Sequence, residues 1–121
     1  MTTLRRIQKE QAEWSLRNFG ERPSYQPLLG IAEEVGELCH AHLKNEQGVR
    51  MTEDHEANKR DAVGDIMIYL MDYCSKEGFD VTQCLVETWN KVRQRDWVAN
   101  PDGPIGQTSQ GEKRTELSEA E

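Results

Sequence analysis

Almost nothing in this chain reads as a β-strand: runs of alternating β-branched residues are few, and no Asn-Gly or Asp-Gly turn joins two apolar stretches. An all-α domain follows. No apolar run is long enough to cross a membrane, and the first residues carry no signal-peptide pattern, so the protein is expected to be cytoplasmic. Basic charge is scarce, with 15 Lys and Arg against 22 Asp and Glu and a net charge of -7. That excludes a surface for a nucleic-acid polymer, which needs a basic footprint, although bound metal ions can reverse the local sign toward a small polyanion. No G-x-x-x-x-G-K-[ST] run is present, so a nucleotide is not held here by a P-loop. The three cysteines, Cys39, Cys74 and Cys84, form no C-x-x-C pair and read as small apolar residues of a reduced protein. With 36% hydrophobic residues in 121, a single domain with a modest core is expected, of the kind that self-association completes.

End signals place four helices. The first opens at Thr2 or Thr3 and stops at Gly20, and its stripe of Leu4, Ile7, Gln11, Trp14 and Asn18 interleaves two amides with an aromatic ring. The second starts after Ser24, tolerates Pro27 in its first turn and runs to about Lys44, followed by a loop over residues 45–52. Thr52 is the expected cap of the third, which carries Glu53, Asp54 and Glu56 in its first turn and ends at Gly78. Asp80 with Gln83 resembles a capping box opening a fourth helix, striped by Val81, Leu85, Thr88 and Val92 and ending before Asn100-Pro101. Residues 1–100 therefore form the helical domain. Residues 101–121 are a polar Gly/Pro-containing tail, expected to lie along a neighbouring subunit or over the site.

Two carboxylate clusters sit inside these helices. Glu34 with Glu37, Glu33 with Glu37, and Asp61 with Asp65 are three or four residues apart, so each pair shares a helix face and repels. Solvent, a basic partner or a divalent cation must offset that repulsion. Asp65 is followed by residues 66–71, apolar around the whole circumference, which reads as a helix buried on most sides. An unpaired carboxylate there is costly, so Asp65 should be paired or coordinated. On the second helix the apolar stripe runs through Leu28, Ile31, Val35, Leu38 and His42, and a solvated acidic face would account for that segment alone. Taken together, the two clusters point to a metal site with oxygen ligands.

Lys91, Arg93 and Arg95 stand at the end of the fourth helix. Arg95 continues its buried stripe and Lys91 flanks it, while Arg93 lies opposite. Lys91 and Arg95 either complement the helix dipole or serve a phosphate chain beside the metal; for Arg93 the first reading holds. Trp14 is either a core residue or a platform for a base whose edge Gln11 and Asn18 read. Glu37-x-x-His40 matches one half of a di-iron element, but Glu87 is followed at that spacing by Asn90, so His40, His42 and His55 are expected to be structural or exposed.

Glu33-Glu34-x-x-Glu37, then Asp61-x-x-x-Asp65 before an apolar helix, then Asn90-Lys91-x-x-x-Arg95-Asp96-Trp97, with Gln11-x-x-Trp14 at the start, resemble the MazG-like members of the all-alpha nucleoside triphosphate pyrophosphohydrolases. The similarity spans residues 4 to about 100. It implies a four-helix bundle-type domain, a homodimer or homotetramer with sites built across subunits, and hydrolysis of a nucleoside triphosphate to the monophosphate and pyrophosphate with Mg2+, for which Mn2+ can substitute. Glu34 and Glu37 match the family's Glu-x-x-Glu ligands and Asp65 the aspartate of its Glu-x-x-Asp. The family's glutamate falls at Ala62, and Asp61, one position earlier on the face of Asp65, is expected to replace it, acting directly or through a water. Glu33 would activate the attacking water, and Lys91 and Arg95 would take the charge of the leaving pyrophosphate. A purine such as dGTP or GTP suits the Gln11, Trp14 and Asn18 face. The alternatives are a phosphoribosyl-ATP or dUTP-type pyrophosphohydrolase and a non-enzymatic helical interaction module.

Overall fold

The computed structural model describes residues 2–103 and 117–118. Among them are four helices and no strand: α1 (Thr3–Phe19), α2 (Tyr25–Gln47), α3 (His55–Glu77) and α4 (Val81–Val92). Thr2 caps α1 by accepting from the Arg5 N–H, and Gly20, at φ 70°, ends it. Helix α2 runs past Lys44 to Gln47 before Gly48 stops it in the left-handed conformation. The cap of α3 is Asp54 rather than Thr52: residues 50–53 are taken up by a turn closed by Glu53 N–H on the Arg50 carbonyl, and the Asp54 carboxylate accepts from the Ala57 N–H. Asp80 caps α4 through the Thr82 and Gln83 N–H groups, but the Gln83 side chain turns to Glu87, so the capping box is half made.

Helix α4 ends at Val92, well short of Asn100. The next residues tighten into turns, with Arg95 N–H on the Val92 carbonyl, and the Asp96 carboxylate accepts from Val98 and Ala99, taking donors that a continuing helix would need. Arg95 therefore lies beyond the helix and does not continue its stripe.

Helices α2 and α3 pack along one another, α1 lies on α3, and α4 contacts α1 and the end of α3. The α2–α3 pair is antiparallel, since Gly30 meets Tyr69 while Glu34, further along α2, faces Asp65, earlier on α3. Small residues allow the approach. Ala41 and Ala62 are each 2% exposed, and a Cβ at Gly30 would stand 2.6 Å from the Tyr69 ring. At the other end, the Gln8 amide stitches α1 to the α3–α4 turn, donating to Ser75 Oγ and the Phe79 carbonyl and accepting from the Val81 N–H.

The buried apolar residues described are Ala41, Ala62, Met71 and Cys74. Residues 66–71 are not buried on most sides within one chain: Met71 is, but Met67, Ile68 and Leu70 are 40–45% exposed. Helix α3 has α2 on one flank and α1 on another, which leaves its third face uncovered. Leu28, Val35 and Leu85, from the expected stripes of α2 and α4, are exposed as well.

Candidate metal centre

Antiparallel packing turns the two acidic i, i+3 and i, i+4 patterns toward each other. Glu33, Glu34 and Glu37 from α2 and Asp61 and Asp65 from α3 line one cleft of about 420 Å³. Glu53, Asn58 and His40 complete its polar wall, with Ala41 and Ala62 between the helices. No Lys or Arg lines it, and of its six carboxylates only Glu53 reaches a base among the described residues, Arg50 at 3.7 Å.

The electrostatics follow from that composition. Burial in the cleft raises the Glu34 carboxyl above its ordinary range, and the charges of Asp65, Glu33, Glu37 and Asp61 push it the same way. Asp65 is raised by burial first, then by the Asp61 charge and by a hydrogen bond between the two carboxyls. Tyr69 is raised by burial and by Glu33, Glu34, Asp65 and Asp72, which places its ring beside the acids.

This donor set suits a hard divalent cation, which takes carboxylate oxygens and water. Among the described residues no three or more His, Cys, Asp or Glu side chains already converge on one point, so the cleft offers ligands on facing helices rather than a finished cage. Ala62, where the resemblance puts a glutamate, is buried at the helix contact, while Asp61 is exposed and lines the cleft with Asp65.

Asn58, Glu53, Tyr69 and His40 line or adjoin the cleft without having been read as site residues. Asn58 stands three residues before Asp61, so the helical spacing that linked Asp61 to Asp65 extends to it. Gly30 was the signal for Tyr69, a helical glycine where a ring crosses. His42 is exposed beside Glu46, and His55 is buried with Nε2 on the Val49 carbonyl.

The remaining expected site residues do not line this cleft within one chain. Lys91 and Arg95 are exposed on α4 and in the turn after it. Trp14 is 48% exposed and packs edge-on against Phe19, with ring centroids 5.5 Å apart. Asn18 donates to the Trp14 carbonyl, and Gln11 Oε1 is buried without a hydrogen-bond partner. Beside Lys91, the Asn90 amide donates to the Leu117 carbonyl and accepts from the Leu117 N–H. Apart from residues 101–103 and 117–118, the tail and its expected path lie outside the described residues. No protein-family model matches the chain, and no curated protein or solved structure is detectably similar to it.

Proposed function

We propose that this protein is a Mg2+-dependent nucleoside triphosphate pyrophosphohydrolase of the MazG-like kind its motifs resemble, working as a homodimer or homotetramer. The observation that carries the reading is the cleft between α2 and α3, where five carboxylates face one another with no base among them. Glu34, Glu37, Asp65 and Asp61 would hold the metal, and its charge would neutralise the triphosphate and acidify water. Glu33 would orient the attacking water and take its proton as oxygen bonds to the α-phosphorus and the bond to pyrophosphate breaks. Lys91 and Arg95 would take the charge developing on the pyrophosphate.

Self-association has its own support. A single chain leaves Leu29, Met67, Ile68, Leu70 and Trp89 at least 40% exposed, more apolar surface than a solitary domain with so small a core commonly carries. A second copy would cover it, and would bring to the cleft the bases and the Trp14 face that its own chain holds elsewhere. The test is pyrophosphate release from a panel of ribo- and deoxynucleoside triphosphates, including dGTP, GTP and dUTP, with phosphoribosyl-ATP alongside, in Mg2+ and in chelator. Metal-dependent release from one of them is expected. No release from any, with a monomer by light scattering, overturns the reading in favour of an interaction module.

A further inference from the structure

Asn90, in the last turn of α4, reaches a residue 27 positions further along the chain. Its Nδ2 donates to the Leu117 carbonyl at 3.1 Å, and its Oδ1 accepts from the Leu117 N–H at 2.9 Å. A side-chain amide holds a donor and an acceptor in one plane, so it can pair with both main-chain groups of one residue, as the opposite residue of a strand pair does. Contacts of this kind hold a chain by its backbone and read no side chain. The Leu117 side chain is itself exposed.

Charge favours the same pairing. Residues 90–95 hold Lys91, Arg93 and Arg95 and no acid, while residues 116–121 hold Glu116, Glu119 and Glu121 and no base. Arg93 stands three positions after Asn90, on the side of α4 that carries the clasp. In sequence, Glu116 and Glu119 are one and two residues from Leu117.

We propose that the C-terminal segment is an inhibitor built into the chain: Asn90 docks it by its main chain at Leu117, and its glutamates compete with a polyphosphate for the basic end of α4. The competition rests on the reading above, in which Lys91 and Arg95 receive the pyrophosphate group. A docked segment and a bound polyphosphate exclude one another, because each supplies the negative charge that the same bases neutralise. Each then weakens the other by the same factor.

The test uses the full chain at low ionic strength, with inorganic pyrophosphate and Mg2+ as the probe. Hydrogen exchange at the Leu117 amide, followed by NMR, reports docking, and calorimetry gives the pyrophosphate Kd. In the parent chain this amide is expected to exchange more slowly than in a free peptide, and to speed up as pyrophosphate saturates. Leu117→Pro deletes the N–H that Asn90 accepts and leaves α4 untouched. It is expected to bind pyrophosphate about threefold to tenfold more tightly, since a docked fraction lowers the competent one in proportion. Leu117→Ala keeps both main-chain groups and is expected to match the parent, while Asn90→Ala is expected to lose the amide protection with its helical circular dichroism unchanged. A Leu117 amide that exchanges at the free-peptide rate in the parent overturns the docking. Protection that pyrophosphate leaves unchanged, with one Kd for the parent and Leu117→Pro, overturns the inhibition. Protection without pyrophosphate binding in either chain overturns the inhibition through the catalytic reading beneath it, and the docking stands.

Discussion

Asp72 and Asp80, at the C-terminal end of α3 and just beyond it, each grip a base, Lys76 at 2.6 Å and Arg5 at 2.8 Å, whereas Asp61 and Asp65 earlier on α3 face the acids of α2. Burial alone would raise Asp80, but the Arg5 hydrogen bond and the Gln83 and Thr82 N–H groups outweigh it and hold the carboxyl below its ordinary range. Glu34 and Asp65 are held above theirs. Bases reach Asp72 and Asp80, while no Lys or Arg lines the cleft. The first group of acids is paired within the fold, while the second has the electrostatics that the proposed metal would relieve.

The largest expected effect separates the two groups by activity. Asp65→Asn and Glu37→Gln should each lower turnover by about 100-fold or more with the helical circular dichroism unchanged, since on the proposed reading each removes a carboxylate that would hold the metal. Full activity of either variant in Mg2+ would break the comparison. Asp80→Ala acts the other way. It removes two cap hydrogen bonds and the Arg5 ion pair, and should cost about 2 kcal/mol in urea unfolding while sparing the cleft.

A pair of glycines sharpens the geometry. Gly30→Ala puts a Cβ against the Tyr69 ring and should destabilise by about 1–2 kcal/mol, whereas Gly36→Ala meets nothing within 4 Å and should stabilise by about 0.5–1 kcal/mol. Thermal unfolding of the two variants tests whether the helix contact at Tyr69 is as close as described.

The smallest effect is in pH. A carboxyl raised in the folded state binds its proton more readily there than in the unfolded chain, so the metal-free protein should lose stability as pH rises from the ordinary carboxylate range through the raised values of Glu34 and Asp65. Asp80, held low, contributes stability that is present above its unfolded value and is lost as pH falls through its folded one. Asp65→Asn should raise metal-free stability by only a few tenths of a kcal/mol, because the cleft is open to screening. Urea unfolding with chelator between pH 4 and 7 checks the signs, and added Mg2+ should cancel the loss in the parent chain but not in Asp65→Asn.

Helix signals were legible where a local group decides them. Thr2, Gly20, Gly78 and Asp80 act on residues within one turn, and each marks an end in the structure, whereas α2 runs three residues past Lys44 to the Gly48 cap. The end of α4 was not legible, because Asp96 competes for backbone donors that the apolar spacing ignores. Burial around residues 66–71 was misread for a different reason: an apolar circumference says that a face needs covering and not that the same chain covers it.

The sequence by itself determined the helices and the sharing of a face by Glu34 and Glu37 and by Asp61 and Asp65, because α-helical periodicity is a property of adjacent residues. Only the tertiary structure decided that the two acidic faces meet, through the antiparallel packing at Gly30, Ala41 and Ala62. It alone left Asp61 and Asp65 in a cleft that no Lys or Arg lines. Such contacts depend on how helices dock, and docking is set by side-chain volumes far apart in the chain.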